Sequence, residues 1–131
     1  MFASIKTSRT NKVLVTELTN KLGLGAENII ARIAFAYSLA EERKFNLSAI
    51  QDSQGKEYTS KVLFGDNLDI YVAIICIHYN LYKTDRDIPK YIKMHLDDGL
   101  QLIQQQFLKK DIGGIDFMIN KIEKGLKQFA Y

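Results

Sequence analysis

Residues 2–8, Phe-Ala-Ser-Ile-Lys-Thr-Ser, form the stretch that decides the fold, together with the two helical segments after it. Polar and apolar residues alternate along this stretch, which is typical of a short β-strand. The segments 9–22 and 26–40 carry apolar residues at helical spacing and are joined by Gly-Leu-Gly. A terminal strand without a neighbouring strand leaves its backbone N–H and C=O groups unpaired. We therefore expect it to pair with the same strand of a second chain, in a two-stranded antiparallel ribbon.

The first helical segment has clear signals at both ends. Ser8 or Thr10 can cap its N-terminus, and Gly23 fits the left-handed position that ends a helix. The second segment, 26–40, carries apolar residues around most of its circumference. We therefore expect the second helix to be buried on more than one side.

The remainder of the chain is predicted to be mostly helical. Weak alternation at 45–50 and 57–64 predicts a small hairpin. A third helix is expected from residue 66 or 67 to 82, and a fourth from about residue 87 to 110, with Pro89 in its first turn. A last helix is expected over 115–129, after two adjacent glycines.

These elements predict a single domain of 131 residues with a mainly α fold. Its parts are a ribbon-helix-helix-like N-terminal core at 1–40, a helical pair at 66–110 and a C-terminal extension at 111–131. No run of about eighteen apolar residues is present, so no membrane span is expected. The single cysteine, Cys76, cannot form an internal disulfide, which favours a reducing, cytoplasmic setting.

The positive charge is concentrated in the half that carries the predicted strand. The net charge is +3, which is too small to indicate a nucleic-acid-binding protein by itself. Residues 1–65 hold nine Lys/Arg and six Asp/Glu, whereas residues 66–131 hold nine of each. The first twelve residues contain Lys6, Arg9 and Lys12 and no acidic residue. An oligomer would multiply this local charge.

The strand itself is the first candidate DNA contact. Ile5 is expected to face the core, which directs Ser4 and Lys6 outward. A β-ribbon fits the DNA major groove, and serine and lysine can donate hydrogen bonds to base edges or phosphates. The alternative interpretation is a dimerisation strand with a solvated polar face. Both interpretations stay open at this point.

Two further groups of residues could contact a DNA backbone. The free N–H groups at the start of the first helix suit a phosphate, and Ser8, Arg9, Thr10 and Lys12 lie around them. A second group is predicted on one side of a helix by its spacing of three and four residues, and Lys44 is added as a separate cation. Asp85, Asp87 and Asp97 favour a merely solvated face for that second group. Its members are Lys83, Arg86, Lys90 and Lys93.

The sequence carries no enzyme signature. No HExxH, CxxC, nucleotide-binding glycine motif or zinc-type ligand spacing is present, so no metal or cofactor is expected. The two histidines are His78 and His95, and we interpret His95 as a satisfied core or interface residue. A nuclease-like activity that uses His78 or His95 remains as a minor hypothesis.

Several spaced segments resemble the DndE family, the small subunit of bacterial DNA phosphorothioation systems. The resemblance covers about residues 1–108 and rests on a pattern of positions without a catalytic motif. The matching segments are Ile-Lys-Thr-Ser at 5–8, Gly-Leu-Gly-Ala-Glu-Asn-Ile-Ile-Ala-Arg-Ile-Ala-Phe-Ala-Tyr-Ser-Leu at 23–39, Phe-Gly at 64–65 and His-Leu-Asp-Asp-Gly-Leu at 95–100.

The resemblance implies a ribbon-helix-helix-like core, a homotetramer and DNA binding through surface lysines, with a preference for nicked duplex. It also implies work beside a sulfurtransferase-like subunit and an ATPase subunit, which carry out the sulfur chemistry. The chain is then a non-catalytic DNA-binding subunit. The alternative hypothesis is a protein-interaction scaffold of the modification complex without direct DNA contact, motivated by the apolar faces of 26–40 and 66–82.

Overall fold

The structure, a computed structural model, describes residues 2–110 and residue 123. The described part is mainly α, as predicted, and it contains one short two-stranded antiparallel sheet. The predicted extension at 111–131, with its helix at 115–129, lies outside the described residues apart from Glu123. The elements in chain order are β1 (Ser4–Lys6), α1 (Arg9–Leu22), α2 (Glu27–Ala40), a 3₁₀ turn (Leu47–Ala49), β2 (Glu57–Thr59), α3 (Ser60–Phe64), a second 3₁₀ turn (Gly65–Asn67), α4 (Leu68–Tyr79) and α5 (Ile88–Lys110).

Strand β1 has a partner within its own chain, so the prediction of an intermolecular ribbon is wrong in its premise. β1 pairs with β2 in antiparallel register, and Ile5 lies opposite Tyr58. The Thr7 N–H donates to the Lys56 carbonyl at 2.9 Å and prolongs the pairing beyond the strand. The backbone of β1 is therefore satisfied by β2 without a second copy. Local alternation identifies a strand but does not reveal a partner about fifty residues away.

The predicted hairpin at 45–64 does not form. Its first half contains the 3₁₀ turn Leu47–Ala49, where the Asn46 side chain accepts a hydrogen bond from the Ser48 N–H at 3.1 Å. Its second half supplies β2 and then α3, and β2 pairs with β1 instead. A local side-chain cap thus takes the place of a strand over residues 47–49.

Helices α2 and α5 pack against each other at the centre of the molecule. The two helices approach closely at Gly99, where an added Cβ would lie 1.8 Å from the Ala34 carbonyl oxygen. α2 buries residues on several sides, as its wide apolar face predicted, and these include Ile30 and Phe35. α5 contributes apolar core residues along its length, namely Ile88, Ile92, Leu96, Leu100 and Ile103.

The ends of α1 form as their sequence signals predicted. Ser8 is the N-cap, and its hydroxyl accepts a hydrogen bond from the Asn11 N–H at 3.3 Å. Gly23 follows the last turn at φ 66°, where its N–H bonds back to the Asn20 carbonyl. Helix α4 ends at Tyr79, before the predicted Tyr82, because Asn80 adopts a left-handed conformation at φ 56°.

One described helical stretch, Ser60–Tyr79, is long and apolar enough to cross a membrane by length and composition alone. The stretch is not one continuous α-helix, since the 3₁₀ turn Gly65–Asn67 separates α3 from α4. Its regular part, α4, has 12 residues and measures about 18 Å, which is short of a bilayer core of about 30 Å.

Candidate nucleic-acid interface

An open groove of about 300 Å³ runs beside β1 and the start of α5. The alternation predicted for β1 is confirmed, since Ile5 is buried and Lys6 is exposed. Two cations with exposed side chains flank the groove, Lys6 from β1 and Lys90 from α5. The complete lining is Ser4, Ile5, Lys6, Ile50, Ser53, Pro89, Lys90 and Lys93.

The polar groups of this groove differ in their availability. The Ser4 hydroxyl donates to the Glu57 carboxylate at 2.8 Å, which ties it to the neighbouring strand. The Lys90 ammonium lies 3.4 Å from the Asp87 carboxylate, and both side chains are solvent-exposed. Such an exposed pair is worth little and exchanges readily for a phosphate. Lys6 makes no ion pair with any described residue, so its ammonium is available for a polyanion.

Lys83 and Arg86 do not lie on a helical face with Lys90, which corrects the predicted four-residue cluster. They belong to the segment between α4 and α5, and the left-handed turn at Asn80 separates that segment from α4. Both line a second cavity of about 210 Å³. Pro89 lines this cavity as well as the groove, so the two concavities adjoin. The four cations expected on one stripe are therefore divided between a loop and a helix.

Lys93 is buried, which overturns its prediction as a DNA contact. Only 5% of its surface is exposed. Its ammonium donates to the Asp97 carboxylate and to the Lys6 carbonyl oxygen, both at 2.8 Å. The salt bridge follows from the i,i+4 spacing of lysine and aspartate on α5. Lys93 therefore holds β1 against α5, and it also lines the groove.

The start of α1 is already occupied by carboxylates, so the predicted phosphate site there is wrong. The N–H of the buried Ser8 donates to Asp97 at 3.0 Å, and the Arg9 N–H donates to Asp52 at 2.9 Å. Hydrogen bonds from the backbones of Arg9 and Gln54 lower the pKa of the Asp52 carboxyl, so it stays ionised. Two internal anions thus take the place of an external one.

The exposed side chains of α1 remain available for a ligand. Arg9, Thr10 and Lys12 are solvent-exposed, in contrast to the buried Ser8 that precedes them. Lys44 is also exposed but lines neither the groove nor the adjoining cavity. The structure therefore does not unite Lys44 with the other predicted contacts.

Asp97 is the residue that sequence reasoning missed in this region. Its carboxylate accepts a hydrogen bond from the Asn11 side chain at 2.8 Å, in addition to those from Ser8 and Lys93. One buried carboxylate therefore joins α1, α5 and, through Lys93, β1. The sequence signal that could have indicated this was the Lys93–Asp97 spacing, which was interpreted as a solvated face.

His95 is a satisfied core histidine, as predicted. Its Nδ1 lies 2.8 Å from the Ser38 hydroxyl, which itself donates to the Asp98 carboxylate at 2.7 Å. The Ser38 proton is thus engaged, so Nδ1 carries the imidazole proton and donates it to Ser38. The Tyr79 hydroxyl lies 2.6 Å from Nε2 and can donate to it. Burial lowers the pKa of His95 to about 3, so the ring is neutral at physiological pH.

The other groups with catalytic potential are also engaged or weakly reactive. The His78 Nε2 lies 2.5 Å from the Arg43 carbonyl oxygen, to which it donates. Burial raises the pKa of the Cys76 thiol, which disfavours the nucleophilic thiolate. Within the described residues, no group of three or more His, Cys, Asp or Glu side chains could hold a metal ion.

The family to which this chain is related is shown by its sequence. The profile of the family described as DNA sulphur modification protein DndE matches residues 4–111. The chain belongs to the DndE family. The resemblance noted in the sequence is thereby confirmed, and the matched region contains every described secondary-structure element. No match is found among the curated proteins.

Two crystal structures of DndE proteins share the fold. DndE from Escherichia coli B7A, involved in DNA phosphorothioation modification, is 20% identical with a TM-score of 0.63. The alignment covers 77% of this chain and 96% of that one. A DndE mutant involved in DNA phosphorothioation is 19% identical with a TM-score of 0.64, over 78% of this chain and 97% of that one. At 19–20% sequence identity, this structural similarity establishes the fold alone.

Proposed function

We propose that this chain is a non-catalytic DNA-binding subunit of a DNA phosphorothioation system that grips the duplex backbone through surface cations. The observation that carries the proposal is the pair of adjoining concavities beside residues 2–6 and the start of α5, with exposed cations around them. Membership of the DndE family makes DNA the natural polyanion for that surface. The cations are Lys6, Lys83, Arg86 and Lys90.

The contact set differs from the one predicted by the sequence. Arg9, Thr10 and Lys12 keep their exposed side chains and extend the surface from β1 onto α1. Ser8 and Lys93 are no longer proposed as DNA contacts, because their polar groups are buried and bound to Asp97. Contacts of lysine and arginine to phosphates position a protein without reading bases. We therefore expect weak sequence preference and a steep dependence of affinity on salt.

The non-catalytic role is supported by the state of the histidines. His95 is buried and neutral, and its two ring nitrogens face Ser38 and Tyr79. On this proposal the sulfur chemistry belongs to the sulfurtransferase-like and ATPase subunits implied by the family resemblance. The complex then works in the cytoplasm, and this chain is the subunit that binds DNA, including nicked duplex.

Binding titrations at several salt concentrations test the proposal. The protein is titrated with intact and nicked duplexes of the same sequence, at salt concentrations from about 50 to 200 mM. The double variant Lys6→Glu/Lys90→Glu should weaken binding and reduce the slope of log K against log salt by about 2. Lys61→Glu, a reversal of an exposed cation on α3 that lines neither concavity, is the matched control. No binding by the unmodified protein at about 50 mM salt would refute the proposal.

A second candidate function, a protein-interaction scaffold, is favoured by the surface of α4. Ile70, Ile74 and Ile77 are 59%, 41% and 82% exposed and follow each other at helical spacing. We call these three residues the α4 stripe. Contiguous apolar surface of this kind marks an interface. We propose that a second copy of the chain covers it, which provides the homo-oligomer, up to a tetramer, that the family resemblance implies.

A further inference from the structure

The cavity between Phe2 and the segment before α5 has a lining of two kinds. Its apolar lining comes from three separate parts of the chain: Phe2, Val72, Ile88 and Pro89. Its polar and charged lining comes from the 83–86 segment: Lys83, Thr84, Asp85 and Arg86. A flat apolar ring joined to a negative group is the ligand chemistry that matches such a division.

The volume restricts the size of that ligand. The cavity measures about 210 Å³, below the range of about 300–1,000 Å³ that is usual for drug-sized ligands. One heterocyclic base is of a suitable size, whereas a base pair is not. A base inside an intact duplex is not accessible without unstacking. The occupant must therefore come from a strand with an unpaired position.

The aromatic wall is held in place by the core. The half-buried Phe2 ring meets Phe64 edge to face, with centroids 6.4 Å apart and planes at 84°. Phe64 in turn stacks on Tyr71 at 4.4 Å and 14°. Phe2 is thus fixed by packing before any ligand binds, which lowers the entropic cost of stacking on it.

The charged wall is also ordered. The Asp85 carboxylate accepts the Asp87 N–H at 2.8 Å, and the Asp85 N–H donates to the Tyr82 carbonyl at 3.0 Å. Asp85 is therefore engaged with its own loop. Lys83 and Arg86 are exposed and make no ion pair with a described residue. Their charges are available to the phosphates on either side of a base in the cavity.

We propose that this cavity receives a single unpaired nucleobase of a DNA strand, with its ring against Phe2 and its neighbouring phosphates at Lys83 and Arg86. Because Pro89 lines both concavities, the strand continues directly into the groove between Lys6 and Lys90. The inference rests on the DNA-binding function proposed above and adds a site that recognises a disrupted position in the duplex.

Fluorescence of 2-aminopurine tests the inference with the full-length protein. Three duplexes of equal length are compared: one fully paired, one with a single unpaired 2-aminopurine, and one with an abasic site at that position. We expect the duplex with the unpaired base to bind several-fold more tightly than the other two. We also expect its fluorescence to rise on binding, because the base leaves the stack of neighbouring bases that quenches it.

Two variants and one control separate the cavity from general DNA binding. Phe2→Leu removes the ring while keeping an apolar side chain, and it should reduce the rise in fluorescence and weaken binding of the unpaired base about tenfold. Lys83→Gln/Arg86→Gln should weaken binding of that duplex and reduce its salt slope. Tyr82→Leu removes an aromatic ring that is 86% exposed and does not line the cavity, so it should change neither signal.

Each outcome bears on a different claim. Failure to bind any of the three duplexes refutes the proposed function itself. Equal binding of all three, or a fluorescence rise that is unchanged in Phe2→Leu, overturns the cavity inference and leaves DNA binding intact. Displacement of the unpaired-base duplex by free deoxyadenosine monophosphate at a similar concentration would assign the cavity to a mononucleotide instead, and so would also overturn the inference.

Discussion

Lys93 and Asp97 form a buried salt bridge of 2.8 Å between successive turns of α5, beneath the surface that we propose for DNA. The lysine also donates to the Lys6 carbonyl, and the aspartate accepts from the Ser8 N–H and the Asn11 side chain. One ion pair therefore anchors β1 and the start of α1 to the central helix. Its net contribution depends on these hydrogen bonds, because two charges lose their hydration there.

Removal of the Lys93 side chain should affect the stability of the fold more than the affinity for DNA. Lys93→Ala leaves the Asp97 carboxylate buried without its cation, and we expect a loss of about 3–5 kcal/mol in the free energy of unfolding. Urea denaturation measures the change. The exposed Lys90→Ala is the matched control on the same helix and should change stability by less than about 1 kcal/mol. Similar losses in the two variants would contradict the structural role of Lys93.

The stability of the fold should fall in acid because of His95. The native pKa is about 3 against an unfolded value near 6.5, so between these values the unfolded state binds the additional proton. The free energy of unfolding from this group therefore rises with pH across that window, with a slope approaching ~1.4 kcal/mol per unit. Above about pH 6.5 the imidazole is neutral in both states, so this group no longer makes the free energy of unfolding depend on pH.

His95→Gln retains a polar side chain without that titration and should flatten the pH dependence between about pH 4 and 6. Thermal unfolding measured at a series of pH values detects the difference. Tyr82→Gln, at a residue that is 86% exposed and does not titrate in this range, is the control. An unchanged slope in His95→Gln would show that other groups dominate the acid response.

The contact between α2 and α5 leaves no space for a side chain at Gly99. An alanine Cβ there would lie 1.8 Å from the Ala34 carbonyl oxygen, so the two helices would have to separate. We expect Gly99→Ala to lower the free energy of unfolding by about 3 kcal/mol or more. At Gly23, an added Cβ would have no atom within 4 Å, so Gly23→Ala meets no steric clash. We expect it to lower the free energy of unfolding only by the cost of a left-handed φ, about 1–2 kcal/mol. Equal losses would contradict the close helix contact.

The α4 stripe should control self-association. Light scattering at micromolar concentration is expected to show an oligomer for the unmodified protein and a smaller species for Ile74→Glu/Ile77→Glu. The charges oppose burial of the stripe in an interface, yet both positions face solvent in the single chain. Asp69→Lys is an exposed substitution outside the stripe that should leave the oligomer intact. A folded, monomeric unmodified protein would refute the self-association proposal.

Local sequence patterns determined the bounds of several elements and the direction of their side chains. The bounds of α1 follow from Ser8 and Gly23, and the outward direction of Lys6 follows from the alternation along β1. The wide apolar face of α2 predicted its burial on more than one side, and family membership was visible in spaced segments. Such features depend on neighbours within one or two turns, which the chain itself displays.

Only the tertiary structure decided which distant groups meet. β2 satisfies the backbone of β1, Asp52 and Asp97 occupy the start of α1, and Lys93 is buried. Each of these contacts joins segments far apart in sequence, where hydrogen-bond satisfaction and burial select one partner among many. The sequence therefore supplied candidate contact residues but could not show which of them share one surface. The sequence does not distinguish a lysine whose ammonium faces water from one whose ammonium neutralises a buried carboxylate.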